Sequence, residues 1–263
     1  MSDTARQTPG TAPPVNLADP LAVLAYGHEA LDASLEPRLA EALGHADAAA
    51  LVARLDELRL ALQAGDPRRI RRGTGLVGRL LGRDVLAEHE AEALRARIGV
   101  LVANADRSAQ GLEALAVRQQ RLRDELAGAL ARLDAVIAPV RQWLGANPGR
   151  SQDDDGALPD HPRERLQRRL DHLATVRASW DIGAGQLDLL RGQNLDLLAR
   201  YRRVRDVLLP AWRQQALADA AVAGAGRAAA AADAQAAIAS EVAAMAGTLD
   251  ARPASAPATG DSA

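Results

Sequence analysis

The chain has 263 residues, 48% of them apolar, yet it contains no Phe and only 2% aromatic residues, so a thick aromatic-filled core is excluded and helix-on-helix packing of Ala and Leu is favoured. A net charge of −2 gives no global attraction to nucleic acid. Zero Cys removes disulfides, thiolate metal sites and thiol redox chemistry from this chain.

All 32 basic residues are Arg, and the chain has no Lys. Arg, Ala, Leu, Glu and Gln are strong helix formers, and the expected fold class is all-α. The Arg excess suits bidentate oxyanion recognition, but with Phe and Lys both missing it fits a GC-rich codon composition better. No apolar run approaches the roughly 20 residues of a bilayer span, and Met1 to Pro14 lacks a signal core. The expected location is cytoplasmic, with peripheral contact at the inner membrane face allowed.

Residues 1–15 read as a disordered lead-in. A helical N-terminal module is expected over 16–65. Asn16 or Asp19 caps a helix from Pro20, with Leu21, Leu24, His28 and Leu31 on one face. Leu35, Leu39 and Leu43 mark a second segment. Leu51, Leu55, Leu58 and Leu62 mark a third.

Residues 66–83 form a basic, Gly-rich linker. Its Arg68, Arg69, Arg71, Arg72, Arg79 and Arg83 interleave with Ile70, Leu76, Val77, Leu80 and Leu81. That pattern suits contact with an anionic membrane surface or a partner, although a solvated hinge would look the same. Gly73-Thr74-Gly75-Leu76-Val77-Gly78 matches a dinucleotide fingerprint, but no strand precedes it and no βαβ unit surrounds it.

A long helical hairpin is expected over 84–222. Leu94, Ile98, Leu101, Ala105, Ser108 and Leu112 begin a heptad seam that runs through Leu115, Gln119, Leu122, Leu126, Ala129 and Leu133 to Ile137, Val140 and Leu144. Pro139 is expected to kink it. A polar loop at 146–159 follows, where Asp153, Asp154 and Asp155 lack the later ligands and the glycine of a calcium loop. Pro162 restarts a helix whose stripe is Leu166, Leu170, Leu173 and Trp180. The stripe blurs at Gly183-Ala184-Gly185 and resumes as Leu187, Leu190, Asn194, Leu197, Tyr201, Val204 and Leu208. Two such seams joined by one loop should fold back antiparallel as a coiled-coil-like rod on the order of 90 Å long. An Ala-rich helix over 223–250 and a disordered tail over 251–263 complete the chain.

Candidate functional residues fall in two groups. One is the arginine set of the linker. The other is Asn194, Pro210, Trp212 and Gln215. Asn194 and Gln119 sit on seam positions, where a polar residue either fixes register or faces water where the hairpin frays. Pro210 should bend the helix, and Trp212 should pack into the bend or serve a hinge or docking notch. No catalytic constellation, cofactor motif or metal-ligand spacing stands out, and the five His are scattered.

Four stretches together resemble the TelA/KlaA family of toxic-anion (tellurite) resistance proteins. Ala25-Tyr26-Gly27-His28-Glu29-Ala30, with Ser34 beyond, is similar to its YGxEA helix. Gly75 to Arg83 is similar to its glycine-and-basic segment, without the aromatic residue usual before Gly82-Arg83. Leu187 to Asn194 matches an apolar turn leading to Asn. Leu209-Pro210-Ala211-Trp212-Arg213-Gln214-Gln215 resembles its IPLWKxQ signature, with Ala211 in place of a larger residue. The resemblance implies a cytoplasmic helical protein with no established catalytic activity, connected with toxic-anion resistance.

The expected function is therefore a non-enzymatic scaffold or adaptor with a protein partner, with homo-oligomers allowed and nucleic acid not expected. Peripheral binding to anionic lipid through Arg68–Arg83 and direct oxyanion binding by arginine forks are the alternatives.

Overall fold

The computed structural model describes residues 13–44, 46–64, 83–147, 162–217 and 225–251. These are helical, with no strand among the described residues, as the composition predicts. In chain order they are α1 (Pro20–Ala25), a 3-10 turn (His28–Ala30), α2 (Leu35–Ala42), α3 (Ala46–Ala64), α4 (Arg83–Ala146), α5 (Pro162–Arg203), a π-helical segment (Val204–Leu208), α6 (Leu209–Leu217) and α7 (Ala225–Asp250). Of the loop expected at 146–159, Ala146 still belongs to α4; residues 148–161, which include the aspartate run, and the linker glycines lie outside the described residues.

Contacts divide the chain into two compact units. The first contains residues 1–41 and 120–188, and the second contains 42–119 and 189–263. Residues 16–65, read above as one module, are thus shared: α1 packs in the first unit and α3 in the second.

In the first unit, the seam residues Leu122, Leu126, Leu133 and Ile137 of α4 are buried, as are Leu166, Leu173 and Trp180 of α5. Ion pairs run in opposite order along the two helices, Arg123 with Asp188 and Arg177 with Asp134. Arg163, in the first turn of α5, donates to the carbonyls of Leu144 and Asn147 and lies over the Trp143 ring. It thereby supplies donors to carbonyls that the end of α4 leaves without helical partners.

The N-terminal segment enters this unit through a turn. Asp19 caps α1 by accepting from the Leu21 amide at 2.9 Å, and Pro20 follows it, as the sequence indicates. The expected apolar face is not the buried one. Leu21 and Leu24 are 73% and 68% exposed, whereas Val23 is buried. The helix stops after six residues at Tyr26, whose ψ is 127°, and Gly27 follows with φ 71°, so a turn and not a continued helix carries the chain on. An added Cβ on Gly27 would lie 2.8 Å from Val136 Cγ1 and 2.9 Å from Leu173 Cδ1, so the backbone passes directly against α4 and α5. Tyr26 fixes the passage at both ends. Its hydroxyl donates to the Val136 carbonyl at 2.9 Å, and its carbonyl accepts from Arg169 Nε at 2.8 Å. Val136 adjoins Ala135, whose carbonyl loses its helical N–H to Pro139 inside α4.

The blurred register at Gly183 also has a packing cause. Leu39 of α2 lies where a Cβ on Gly183 would stand, and α5 remains helical through the position.

In the second unit, Leu51, Leu55, Leu58 and Leu62 of α3 are all buried, as their spacing predicts. They share a core with Ile98 and Leu112 of α4, Leu197 and Tyr201 of α5, and Trp212 of α6. α7 adds Ile238, Val242 and Met245 to the same core.

Gly27→Ala is expected to destabilise the protein by about 2 kcal/mol or more, because it combines left-handed backbone with a clash against a stiff β-branched Val. Gly183→Ala should cost less than about 1 kcal/mol, since only the mobile end of the half-buried Leu39 must move. Urea unfolding of the two variants measures the contrast, and equal losses would contradict it.

Candidate functional site

The second unit contains the two buried polar residues of the described chain, Gln119 and Asn194, at 0% and 1% exposure. Asn194 Nδ2 donates to Gln119 Oε1 at 3.1 Å, and Gln119 Nε2 donates to the Ala42 carbonyl at 2.9 Å. Of the two readings the sequence left open, burial holds. The relay connects α4, α5 and the chain at Ala42, and each amide satisfies a group that would otherwise lose water for nothing.

Farther along, the π segment resolves the problem posed by Pro210. A proline lacks the N–H and its ring presses on the carbonyl four residues back, here Asp206. The segment widens the turn so that the Leu209 amide donates to the Val204 carbonyl, five residues back. The extra residue also moves the seam. Leu208, expected on it, is half-buried, and Leu209 and Trp212 are buried in its place at 2% and 0%. Trp212 is thus a core residue without exposed surface, and its indole N–H meets no acceptor among the described residues. Pro210 itself is half-buried.

The arginines after Asn194 converge on carboxylates. Arg202 meets Glu113 at 2.6 Å, and Arg205 meets Asp106 at 2.7 Å. Arg200 and Arg203 both meet Glu241 of α7, at 3.1 and 3.2 Å. Sequence reasoning missed these partners because they lie far away along the chain. Asp106 also accepts from the Tyr201 hydroxyl at 2.7 Å. Burial first, then this hydrogen bond and the Asp106 charge, raise the Tyr201 phenol well above its ordinary value of 10.0. Burial and the Glu29 charge raise Tyr26 as well.

Beside the core an open groove of about 460 Å³ runs between α3 and α7, lined by Val52, Ala53, Asp56 and Arg59 on one side. On the other side it is lined by Ala239, Val242, Ala243 and Ala246. Arg59 pairs with Asp56 on its own helix. Among the described residues no group of three His, Cys, Asp or Glu could hold a metal ion. No helix among them is long and apolar enough to cross a membrane.

Arg68, Arg69, Arg71, Arg72 and Arg79 lie outside the described residues. Arg83 opens α4 and Gln215 lies in α6, with only their backbones described.

These features define an all-helical protein whose recognisable sequence landmarks, Tyr26-Gly27, Asn194 and Pro210-Ala211-Trp212, serve to set helix geometry. Neither a family model nor a solved structure matches the chain. Among curated proteins it is 30% identical over 210 residues to Protein KlaA of Escherichia coli, covering 80% of this chain and 82% of that one. The chain belongs to the TelA/KlaA family.

Two predictions follow from the buried polar groups. Gln119→Leu should cost on the order of 2–4 kcal/mol by removing the Gln119 hydrogen bonds to the Ala42 carbonyl and from Asn194 Nδ2 in a buried setting. Adding Asn194→Leu should cost less than it does alone, giving a coupling of about 1 kcal/mol or more in a double-mutant cycle, and strict additivity would contradict the relay. In alkali, the unfolded Tyr201 phenol ionises near 10.0 and the folded one only at higher pH. Its contribution to stability is therefore whole below 10.0 and is lost as pH climbs toward the raised folded value. With no Lys and no Cys, Tyr is the side-chain type that titrates there, so stability should fall above pH 10.0 and fall less in Tyr201→Phe. Denaturant midpoints measured across that range test this.

Proposed function

We propose that this chain serves resistance to tellurite or related toxic anions as a non-enzymatic helical scaffold in the cytoplasm, presenting its helix surfaces to protein partners. The observation that carries the reading is that the sequence landmarks on the described chain are committed to packing. Gly27 passes between two helices, Asn194 is buried against Gln119, and Trp212 has no exposed surface. Residues used in this way preserve a shape rather than present reactive groups, and a preserved shape is what a scaffold needs.

Membership of the TelA/KlaA family supports the connection with toxic anions. Direct oxyanion binding draws no support from Arg200, Arg202, Arg203 and Arg205, because each guanidinium already faces a carboxylate.

Deleting the gene in its host should lower the tellurite concentration that arrests growth, and the wild-type gene supplied in trans should restore it. Trp212→Ala should restore it poorly, in step with its loss of thermal stability. Unchanged tolerance in the deletion strain would overturn the resistance role. Stoichiometric or catalytic tellurite reduction by the purified chain would overturn the non-enzymatic one.

A further inference from the structure

The seam of α5 can be continued past Val204 in two ways. A regular helix would bring Leu208 inward next, then Ala211 and Gln215. The π turn brings Leu209 and Trp212 inward instead, at 2% and 0% exposure. Adjacent leucines make the first step of either register equally apolar. Leu208, although half-buried, already packs against the core.

The observed register carries a conflict at Trp212. The indole is wholly buried, yet its N–H has no acceptor, a bond that water would supply. Pro210 weights the balance the other way, because in a regular helix its ring presses on the Asp206 carbonyl. Upstream the chain is held, since Arg205 and the Tyr201 hydroxyl both meet Asp106 at 2.7 Å. A change of register is thereby confined to the stretch from Asp206 onward. There Val207 is 59% exposed, and α6 is nine residues long.

We infer that the π turn is a two-register device for Trp212. In the major register Leu209 fills the seam and the indole lies in the core. In the minor register Leu208 takes that seat and α6 turns about its axis by about 100°, the angle of one helical residue. The indole then faces solvent with its N–H hydrated. Ala211 comes inward in its place and underfills the core, which keeps this register minor. The device gives α6 two surfaces, one of them with a large aromatic grip of the kind protein contacts use. It goes beyond the scaffold reading and stands without it.

The test uses the full chain labelled with 5-fluorotryptophan, its three Trp signals assigned by replacing each Trp in turn with Phe. Fluorine saturation-transfer NMR should show the Trp212 signal exchanging with a minor, solvent-exposed one. Leu209→Ala should raise the minor population about tenfold or more, and Leu208→Ala should lower it by a similar factor. Circular dichroism checks that both chains are folded, and Leu209→Val, with a smaller rise, replaces Leu209→Ala if that chain is not. Opposite responses to the two leucines are what separate a register change from fraying of α6. A minor population raised by both substitutions, or indifferent to both, overturns the device in favour of local unfolding. Absence of exchange at Trp212 in all of these chains overturns it outright. Tellurite tolerance plays no part in the measurement, so failure of the proposed function would leave the device standing.

Discussion

A primary amide buried in a leucine seam must find its hydrogen bonds inside the protein, and this requirement fixes the second unit. Gln119 has one partner on α5 and another at Ala42, so its amide links three stretches of chain at one point. Slipping α5 by one heptad would bring Leu187 or Tyr201 to the place of Asn194 and leave the Gln119 carbonyl oxygen facing the wrong group. Apolar seams built of Leu and Ala tolerate such slips, because one Leu packs against another almost as well in the next register. The amide pair does not tolerate them, since an unsatisfied buried polar group costs more than a satisfied one contributes. The leucines supply the burial, and the amides choose among the ways of achieving it.

Glycine and proline do comparable work where the helices depart from regularity. Gly27 allows a left-handed turn where two helices leave no room for a side chain, and Tyr26 secures the turn by hydrogen bonds to both. Pro210 is accommodated by a π turn that inserts one residue into the repeat and brings Trp212 into the core. A π turn costs regular hydrogen bonding, and here the burial of a whole indole offsets it. In this chain the Pro210-Ala211-Trp212 stretch therefore turns a tryptophan inward.

The same economy of chemistry separates interior from surface. The interior of the second unit holds aliphatic side chains, Tyr201, Trp212 and one amide pair, while Arg202 and Arg205 form cross-helix ion pairs at its margin. Glu241 differs from the other carboxylates of these pairs in being nearly covered and gripped by two guanidinium groups. It sits on α7, whose Ile238, Val242 and Met245 are buried in the core while its alanines face the groove, so the charge pair adds to apolar burial on that helix.

The sequence by itself determined that the chain is helical and which stripe of each long helix is buried. The three- and four-residue spacing from Ile98 to Leu144, except at the half-buried Leu101 and Ser108, and the leucines of α3 marked above reappear as buried side chains because helical period decides which residues share a face. The cap at Asp19 and the helix start at Pro162 were legible for the same local reason. Tertiary structure decided everything that depends on what covers a face. Periodicity placed Gln119 and Asn194 on the seam but left open whether they meet water, because their partners lie about 75 residues apart in sequence. It favoured Leu21 and Leu24 over Val23, because the turn that aims α1 is set by contacts with α4 and α5. It placed Leu208 on the seam where Leu209 belongs, since a π turn changes the count without leaving a mark in the hydrophobic pattern. The arginine–carboxylate pairs and the groove beside α7 were hidden for one reason: each is formed by residues from different helices, and spacing within one helix carries no information about its neighbour.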